Sequence, residues 1–184
     1  NNLARMTDEI VSVRAAILHA VPDSKLFLKD KQLDHESGRN RVLSRFEALD
    51  IEADRLILEG RSPREEYLEC YGRVDIALSP FPYGGGTTSV EGLWMGVPII
   101  AKKGSHFLSH LGESIAHNSG LSDWIALDEE EYVAKAVAYA SNLESLSELR
   151  NGMRELILAN PLFDVPRFAL RFEQAVRAMR KEIR

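Results

Sequence analysis

The chain has 184 residues, of which 45% are hydrophobic and 28% charged, and this composition is typical of one soluble globular domain. A formal net charge of −5 argues against electrostatic binding, so we expect no nucleic-acid partner. No apolar run reaches the roughly 20 residues of a membrane span, so we expect no membrane association. Cys70 is the single cysteine, so the chain has neither an internal disulfide nor a zinc site built from several cysteines. This usage favours a reducing compartment, and we expect the cytoplasm.

Helices and strands are predicted to alternate along the chain. Apolar residues at helical spacing predict helices at 7–20, 36–49, 63–71, 106–118, 129–141, 143–159 and 167–184. Short apolar runs predict strands at 25–29, 56–58, 74–78, 98–101 and 124–126. Short connections between these elements predict one α/β domain over 1–184, a Rossmann-like parallel sheet with helices on both faces and a closing helix at 167–184.

Three connections follow predicted strands, at 30–38, 59–64 and 79–88, so they lie at the edge where such sheets bind ligands. The third connection contains three glycines, which let the backbone approach a ligand closely, followed by Thr87 and Thr88 at a helix start. The N–H groups at a helix start favour an anion, most naturally phosphate or diphosphate. Plain helix capping by the threonines is the alternative.

This turn and the segments around it resemble the nucleotide-sugar site of the O-GlcNAc transferase and SPINDLY family of GT-B glycosyltransferases. The matching residues, in family order, are Asn1-Asn2-Leu3-Ala4-Arg5, Val21-Pro22-Asp23-Ser24-Lys25-Leu26, Phe81-Pro82-Tyr83, the run 84–88, Glu91, Leu93-Trp94-Met95-Gly96-Val97-Pro98, Glu129-Glu131-Tyr132 and Asn160-Pro161-Leu162-Phe163-Asp164. The resemblance covers nearly the whole chain. It implies the C-terminal, donor-binding half of a two-domain GT-B enzyme.

The chain has no initiator Met and opens abruptly at Asn1, so we expect a piece of a longer protein. The resemblance implies that an N-terminal half and a tetratricopeptide array hold the acceptor polypeptide. It also implies that the first strand of the donor-binding half ends at or just before Asn1.

The resemblance assigns the donor diphosphate to the glycine turn. Thr87 and Thr88 cradle the phosphates, and Gly85 and Gly86 clear space for them. Many relatives have His or Thr where Gly86 stands, so a side-chain contact to phosphate is lost here.

Arg5 stands at the position of the family's donor-phosphate lysine, with Asn2 as a weaker neighbour. A cation there neutralises charge on the leaving nucleoside diphosphate, and arginine keeps the charge with a different reach. A solvated surface arginine is the alternative.

The resemblance assigns the nucleoside to two further segments. Glu91 accepts hydrogen bonds from the ribose hydroxyls, although a capping box with Thr88 is also possible. Tyr67 either stacks on the base or is an ordinary half-buried helix tyrosine. The turn that borders the base consists of Arg61, Ser62, Pro63 and Arg64, whose backbone groups read the base edge.

The segment from Gly104 to Ser114 matches the family with departures at Phe107, where plant-type members often have His, and at His110, where relatives usually have Arg. Those departures put the sugar-side contacts in doubt. His106 and His110 have the four-residue spacing of metal ligands, but no third ligand is apparent, so we expect no metal.

The implied reaction is inverting transfer of a sugar, GlcNAc from UDP-GlcNAc foremost, to Ser or Thr of a protein without a cofactor. GDP-fucose is the alternative donor, because the segment Phe81-Pro82-Tyr83-Gly84 and Glu91 look slightly more like SPINDLY members. A degenerate, non-catalytic nucleotide-sugar-binding scaffold is a second class of function. A GT-B enzyme acting on a small molecule or glycan is a third.

Overall fold

A computed structural model describes residues 3–182. Within that range, five short strands alternate with eight α-helices. The strands are β1 (Leu26–Lys29), β2 (Leu56–Glu59), β3 (Ala77–Leu78), β4 (Ile99–Lys102) and β5 (Ile125–Ala126). The helices are α1 (Asp8–Ala20), α2 (Glu36–Glu47), α3 (Arg64–Glu69), α4 (Thr87–Trp94), α5 (Leu111–Asn118), α6 (Glu129–Ala140), α7 (Leu143–Leu158) and α8 (Val165–Glu182).

All strand pairs are parallel, as the alternation of helices and strands predicts. Strand β1 pairs with β2, Leu26 lying opposite Leu56. Strand β4 pairs with β3 on one side and β5 on the other, with Ile99 opposite Ala77 and Ala101 opposite Ile125. The strands therefore form two groups, β2-β1 and β3-β4-β5.

The core lies around β4, whose residues Ile99, Ile100 and Ala101 are all buried. An apolar run buried on both faces is typical of a central parallel strand, and α5 and α6 pack against β4. Helix α1 begins where the Thr7 side chain accepts a hydrogen bond from the Ile10 N–H (3.3 Å). Its apolar face then packs against α6. The predicted Rossmann-like class is confirmed.

Several elements differ in extent from the sequence prediction, among them β3, α5 and α8. The strand predicted at 74–78 is reduced to β3, because Asp75 is exposed and bound to Arg150. The helix predicted at 106–118 is a 3-10 turn, Phe107–His110, followed by α5. The closing helix begins two residues earlier than predicted, at Val165, and its last predicted residues, 183 and 184, lie outside the described range.

Helix α8 exposes most of its apolar residues, including Val165, Phe168 and Phe172. Between residues 3 and 182, no helix combines the length and the apolar character needed to cross a bilayer.

Candidate functional site

The glycine turn is anchored at its base by buried groups after β3. The Ser79 N–H donates to the Ile100 carbonyl (3.0 Å), and the buried Tyr132 hydroxyl donates to the Ser79 carbonyl (3.0 Å). The Phe81 ring packs edge-on against Tyr132 with 5.5 Å between centroids, and Lys102 Nζ lies 4.0 Å from the centroid of the Phe81 ring. These contacts fix the direction in which the chain enters the turn.

The three glycines of the turn have different surroundings. A Cβ on Gly84 would lie 3.2 Å from both the Gly112 nitrogen and Ser79 Oγ, so this position is closely packed against the start of α5. The carbonyl of buried Gly85 accepts from Ser89 Oγ (2.9 Å). A Cβ on Gly86 would meet only a Leu111 methyl, at an ordinary 3.6 Å. A side chain at 84 would therefore need its neighbours to shift by a few tenths of an ångström, whereas the turn has room for a side chain at 86.

The N-terminus of α4 opens directly onto this turn. Gly86 is the N-cap residue and makes no side-chain capping hydrogen bond, so Thr87 and Thr88 are the first two helical residues rather than the N-cap. The Gly86 carbonyl accepts from the N–H groups of Ser89 and Val90. The N–H groups of a helical first turn have no acceptor within the helix, and the helix dipole is positive there. This end of α4 suits an anion such as phosphate.

Arg5 reaches the same turn from the other end of the chain. It ends a short 3-10 segment, Leu3–Arg5, and its Nη1 donates to the Gly84 carbonyl at 2.7 Å. The Leu3 N–H donates to Asp30 Oδ2 (3.2 Å), immediately after β1. Arg5 is exposed, but it is held at the glycine turn rather than free in solvent. Asn2, its predicted neighbour, lies outside the described residues.

Glu91 joins α4 to α3. Its carboxylate forms an ion pair with Arg64 (Nη1 to Oε1, 2.7 Å) and accepts from the Tyr67 hydroxyl (3.1 Å). The Tyr67 and Tyr71 hydroxyls are 2.9 Å apart, and Tyr71 donates to the Thr88 carbonyl (3.1 Å). The carboxylate is engaged here rather than in a capping box with Thr88, and the site residues Arg64, Tyr67 and Glu91 are brought together.

Half-buried Tyr67 lies between two polar partners. Burial is the main cause that raises its pKa, and hydrogen bonding with Tyr71 and the charge of Glu91 raise it further. Tyr67 therefore remains a neutral phenol and a hydrogen-bond donor at physiological pH. Its hydroxyl is directed at the carboxylate.

The turn at 59–64 is held from the loop after β1. Asp34 accepts from the Arg61 N–H (2.8 Å) and from Arg61 Nε (2.7 Å). The backbone hydrogen bond from Arg61, followed by that from its side chain, lowers the pKa of Asp34. Beside it, Ser62 Oγ is buried without a hydrogen-bond partner among the described residues. Arg61 thus serves to position the turn.

The 3-10 turn before α5 carries the two histidines considered as metal ligands. His110 Nδ1 lies 2.7 Å from Glu113 Oε2, and this hydrogen bond lowers the pKa of Glu113. The His106 N–H donates to Ser109 Oγ (2.9 Å), while Phe107 is 91% exposed. Residues 3–182 contain no group of three or more His, Cys, Asp or Glu side chains placed to hold a metal ion.

Sequence reasoning missed several residues that support the site. Tyr71 lies four residues after Tyr67 on the same helical face, a spacing that could have identified the pair. Asp34, Lys102 and Tyr132 act across long sequence separations, for which local patterns give no signal, although Tyr132 belongs to a segment that resembles the family.

Comparison with known proteins identifies related sequences and related solved structures. The profile of glycosyl transferase family 41 matches residues 1–172. A tomato (Solanum lycopersicum) protein named "Probable UDP-N-acetylglucosamine--peptide N-acetylglucosaminyltransferase SPINDLY" is 39% identical over 180 residues, covering 97% of this chain and 19% of that protein. An Arabidopsis thaliana protein is named "Probable UDP-N-acetylglucosamine--peptide N-acetylglucosaminyltransferase SEC". It is 29% identical over 176 residues, and the match covers 95% of this chain and 18% of the Arabidopsis protein.

A solved structure of a mutant O-GlcNAc transferase from Thermobaculum terrenum superposes with a TM-score of 0.90 at 30% identity. The match covers 96% of this chain and 34% of the bacterial chain. The present chain thus spans about a fifth of the length of the curated plant relatives and about a third of the bacterial chain.

Proposed function

The chain belongs to glycosyl transferase family 41, and from that premise we propose that it is the donor-binding half of a glycosyltransferase that modifies proteins. The plant relatives are named as peptide N-acetylglucosaminyltransferases, which favours UDP-GlcNAc as donor and a polypeptide as acceptor. One observation carries the proposal: the Arg5 guanidinium and the N-terminus of α4 meet at a glycine turn in which the N-cap residue of α4 is itself a glycine.

The reaction we propose is a single displacement at the anomeric carbon. The bond from this carbon to the diphosphate oxygen breaks as the oxygen of a Ser or Thr hydroxyl bonds from the opposite face, which inverts the configuration. Negative charge develops on the leaving nucleoside diphosphate. Arg5 and the first-turn N–H groups of α4, including that of Thr87, stabilise this charge because they are fixed before the reaction begins.

Arg5 can hold the turn and the diphosphate together. A guanidinium has five N–H donors, and one Nη1 contact goes to the Gly84 carbonyl. The remaining donors can take phosphate oxygens without releasing the turn. Gly86 is only partly buried and has no side chain between ligand and peptide, and Gly85 behind it is buried.

Glu91 is proposed to bind the ribose. A carboxylate offers about four acceptor positions, and Arg64 and Tyr67 account for two contacts. The neutral ribose supplies two hydroxyl donors, whereas the diphosphate would be repelled by the carboxylate. The base then lies along the turn formed by Arg61 and Ser62.

The rest of the catalytic machinery is proposed to lie in an N-terminal half that, with a tetratricopeptide array, holds the acceptor. We assign no general base within this chain, and it comes from that half or from the substrate. No cofactor is required, since the nucleotide sugar is consumed as substrate. The single cysteine favours a cytoplasmic protein.

The experiment is a transfer assay with the full-length protein, an acceptor peptide mixture and either UDP-GlcNAc or GDP-fucose. We expect transfer from UDP-GlcNAc to Ser or Thr, and none by residues 1–184 alone. Transfer only from GDP-fucose would show that the donor is GDP-fucose rather than UDP-GlcNAc, while the proposed glycosyl transfer to protein would still hold. Nucleotide binding without transfer would favour the non-catalytic scaffold, which is supported by the departures from the family pattern at Arg5, Gly86 and His110.

A further inference from the structure

Two tyrosine hydroxyls connect the proposed ribose site to the proposed phosphate site. The Glu91 carboxylate has its Oε2 3.1 Å from the Tyr67 hydroxyl. The Tyr67 and Tyr71 hydroxyls are 2.9 Å apart, and the Tyr71 hydroxyl is 3.1 Å from the Thr88 carbonyl. Thr88 lies in the first turn of α4, whose N-terminus faces the glycine turn. This tyrosine relay, formed by Tyr67 and Tyr71, therefore joins the two places where the nucleotide is proposed to bind.

Tyr71 is held against α4 by packing as well as by its hydroxyl. It lies in the 3-10 turn Cys70–Arg73, which follows α3 directly. A Cβ on Gly92 would come 3.3 Å from Tyr71 Cε1, so the ring fits against α4 at a position where that helix has no side chain. The Tyr67 ring meets the Tyr71 ring edge-on, with 5.7 Å between centroids. Packing therefore holds both hydroxyls in place.

The relay has fewer protons than contacts. Burial is the main cause that raises the pKa of Tyr71, as it is for Tyr67, so both tyrosines are neutral at physiological pH and each hydroxyl donates one proton. The Glu91 carboxylate, which is paired with Arg64, and the Thr88 carbonyl can only accept. Three contacts thus share two protons.

Each arrangement of the two protons leaves a different contact unmade. If Tyr67 donates to Glu91 and Tyr71 donates to the Thr88 carbonyl, two hydroxyl oxygens face each other at 2.9 Å with no proton between them. If Tyr71 donates to Tyr67, the Thr88 carbonyl loses the Tyr71 donor. If Tyr67 donates to Tyr71, the carboxylate loses the Tyr67 donor. An unmade hydrogen bond in a half-buried site is unfavourable, so a further donor at either end would stabilise the relay.

We propose that Tyr71 is a positioning residue that makes the ribose and the diphosphate of the donor bind cooperatively. The proposal rests on the ribose contact of Glu91 that is part of the proposed function. A ribose hydroxyl takes the place of Tyr67 as donor to the carboxylate. Tyr67 then donates to Tyr71, and Tyr71 donates to the Thr88 carbonyl. The ribose thus supplies the missing proton, and the first turn of α4 is fixed beside the phosphates.

The same coupling acts in the opposite direction. A diphosphate that fixes the first turn of α4 favours the arrangement in which Tyr71 donates to the Thr88 carbonyl. The Tyr71 oxygen then accepts from Tyr67, and Glu91 is left to accept from the ribose. By linkage each part of the ligand raises the affinity for the other by the same factor, which we expect to be about fivefold, the value of one net hydrogen bond.

A thermodynamic cycle of four ligands measures this factor in the full-length protein. The ligands are UDP, uridine, 2′,3′-dideoxy-UDP and 2′,3′-dideoxyuridine, and calorimetric displacement titration gives their affinities. If the ribose hydroxyls and the diphosphate bound independently, the hydroxyls would raise the affinity equally with and without the diphosphate. We expect their effect to be about fivefold larger when the diphosphate is present. The guanosine counterparts are used if transfer assays identify GDP-fucose as the donor.

Tyr71→Phe keeps the ring against Gly92 and removes the hydroxyl that joins the two sites. The fivefold coupling should then disappear, so that the hydroxyls have the same effect with and without the diphosphate. Tyr67→Phe should abolish the coupling as well, because it breaks the relay at its other hydroxyl. Tyr139→Phe, which removes a hydroxyl bonded to the Asp123 carbonyl, is the matched control and should keep the coupling.

Independent binding in the wild-type protein, or a coupling that Tyr71→Phe leaves at its wild-type size, would overturn the proposal and leave the proposed function standing. If Tyr71→Phe does not fold, the coupling in Tyr67→Phe decides in its place. Affinities to which neither the ribose hydroxyls nor the diphosphate contribute would instead overturn the proposed function, and the tyrosine relay with it.

Discussion

Arg5 combines two tasks at the scale of a single residue, because its guanidinium is tied to the Gly84 carbonyl and brings a positive charge to the glycine turn. The first task is structural and the second concerns the ligand. A substitution of Arg5 distinguishes the structural task from the ligand-binding task only if the affinities for ligands with and without phosphate are compared.

Arg5→Met keeps the apolar stem and removes the guanidinium. We expect transfer by the full-length protein to fall about 100-fold or more, since a fixed donor to the leaving group is lost. Binding of UDP should weaken while binding of uridine changes little. Kinetic assays and calorimetric titrations measure both effects. Arg41→Met, at an exposed position on α2, is the control, and equal losses for UDP and uridine would contradict the phosphate role.

Glu91 is the residue whose proposed ribose contact can be isolated chemically. The wild-type protein should bind UDP about tenfold or more tightly than 2′,3′-dideoxy-UDP, because hydrogen bonds to a charged group contribute about 1.5–3 kcal/mol. Glu91→Gln should lose most of this preference. If both proteins discriminate equally, Glu91 serves only to join α3 to α4.

At the scale of elements, the glycine turn is where β3, α4 and α5 meet, and its packing predicts unequal tolerance to substitution. Gly84→Ala places a Cβ 3.2 Å from the Gly112 nitrogen and from Ser79 Oγ. We expect it to lower the free energy of unfolding by about 1–3 kcal/mol. A Cβ on Gly72 would have no neighbour within 4 Å, so Gly72→Ala is the control. Denaturant unfolding measures both, and a Gly84→Ala protein as stable as the control would contradict the described packing.

Helix α6 supports the turn through the buried Tyr132 hydroxyl and its bond to the Ser79 carbonyl. Tyr132→Phe keeps the ring against Phe81 and removes this bond, which should cost about 1 kcal/mol of stability. Because the bond fixes the entry to the turn, UDP binding should weaken as well. Tyr139→Phe is the control, since it removes a hydroxyl bonded to the Asp123 carbonyl away from the turn. Calorimetry that finds the same UDP affinity in both variants would argue against a positioning role.

At the scale of the whole molecule, local patterns predicted the order of elements and the three ligand-edge connections. They could do so because helical and strand periodicity are properties of neighbouring residues. They could not predict that Arg5 bonds to Gly84, 79 positions away, or that Asp75 pairs with Arg150 and shortens β3. Local patterns also could not place the N-cap of α4 at Gly86, since the N-cap position depends on the geometry of the glycine turn.

The central claim is that this chain seats a nucleoside diphosphate at the N-terminus of α4. A crystal structure of the full-length protein with UDP or GDP tests it most directly. We expect the diphosphate oxygens to lie within hydrogen-bond distance of the Thr87 N–H and the Arg5 guanidinium, with a ribose hydroxyl on Glu91. A nucleotide bound elsewhere, or turned so that its base lies at the glycine turn, would contradict the account.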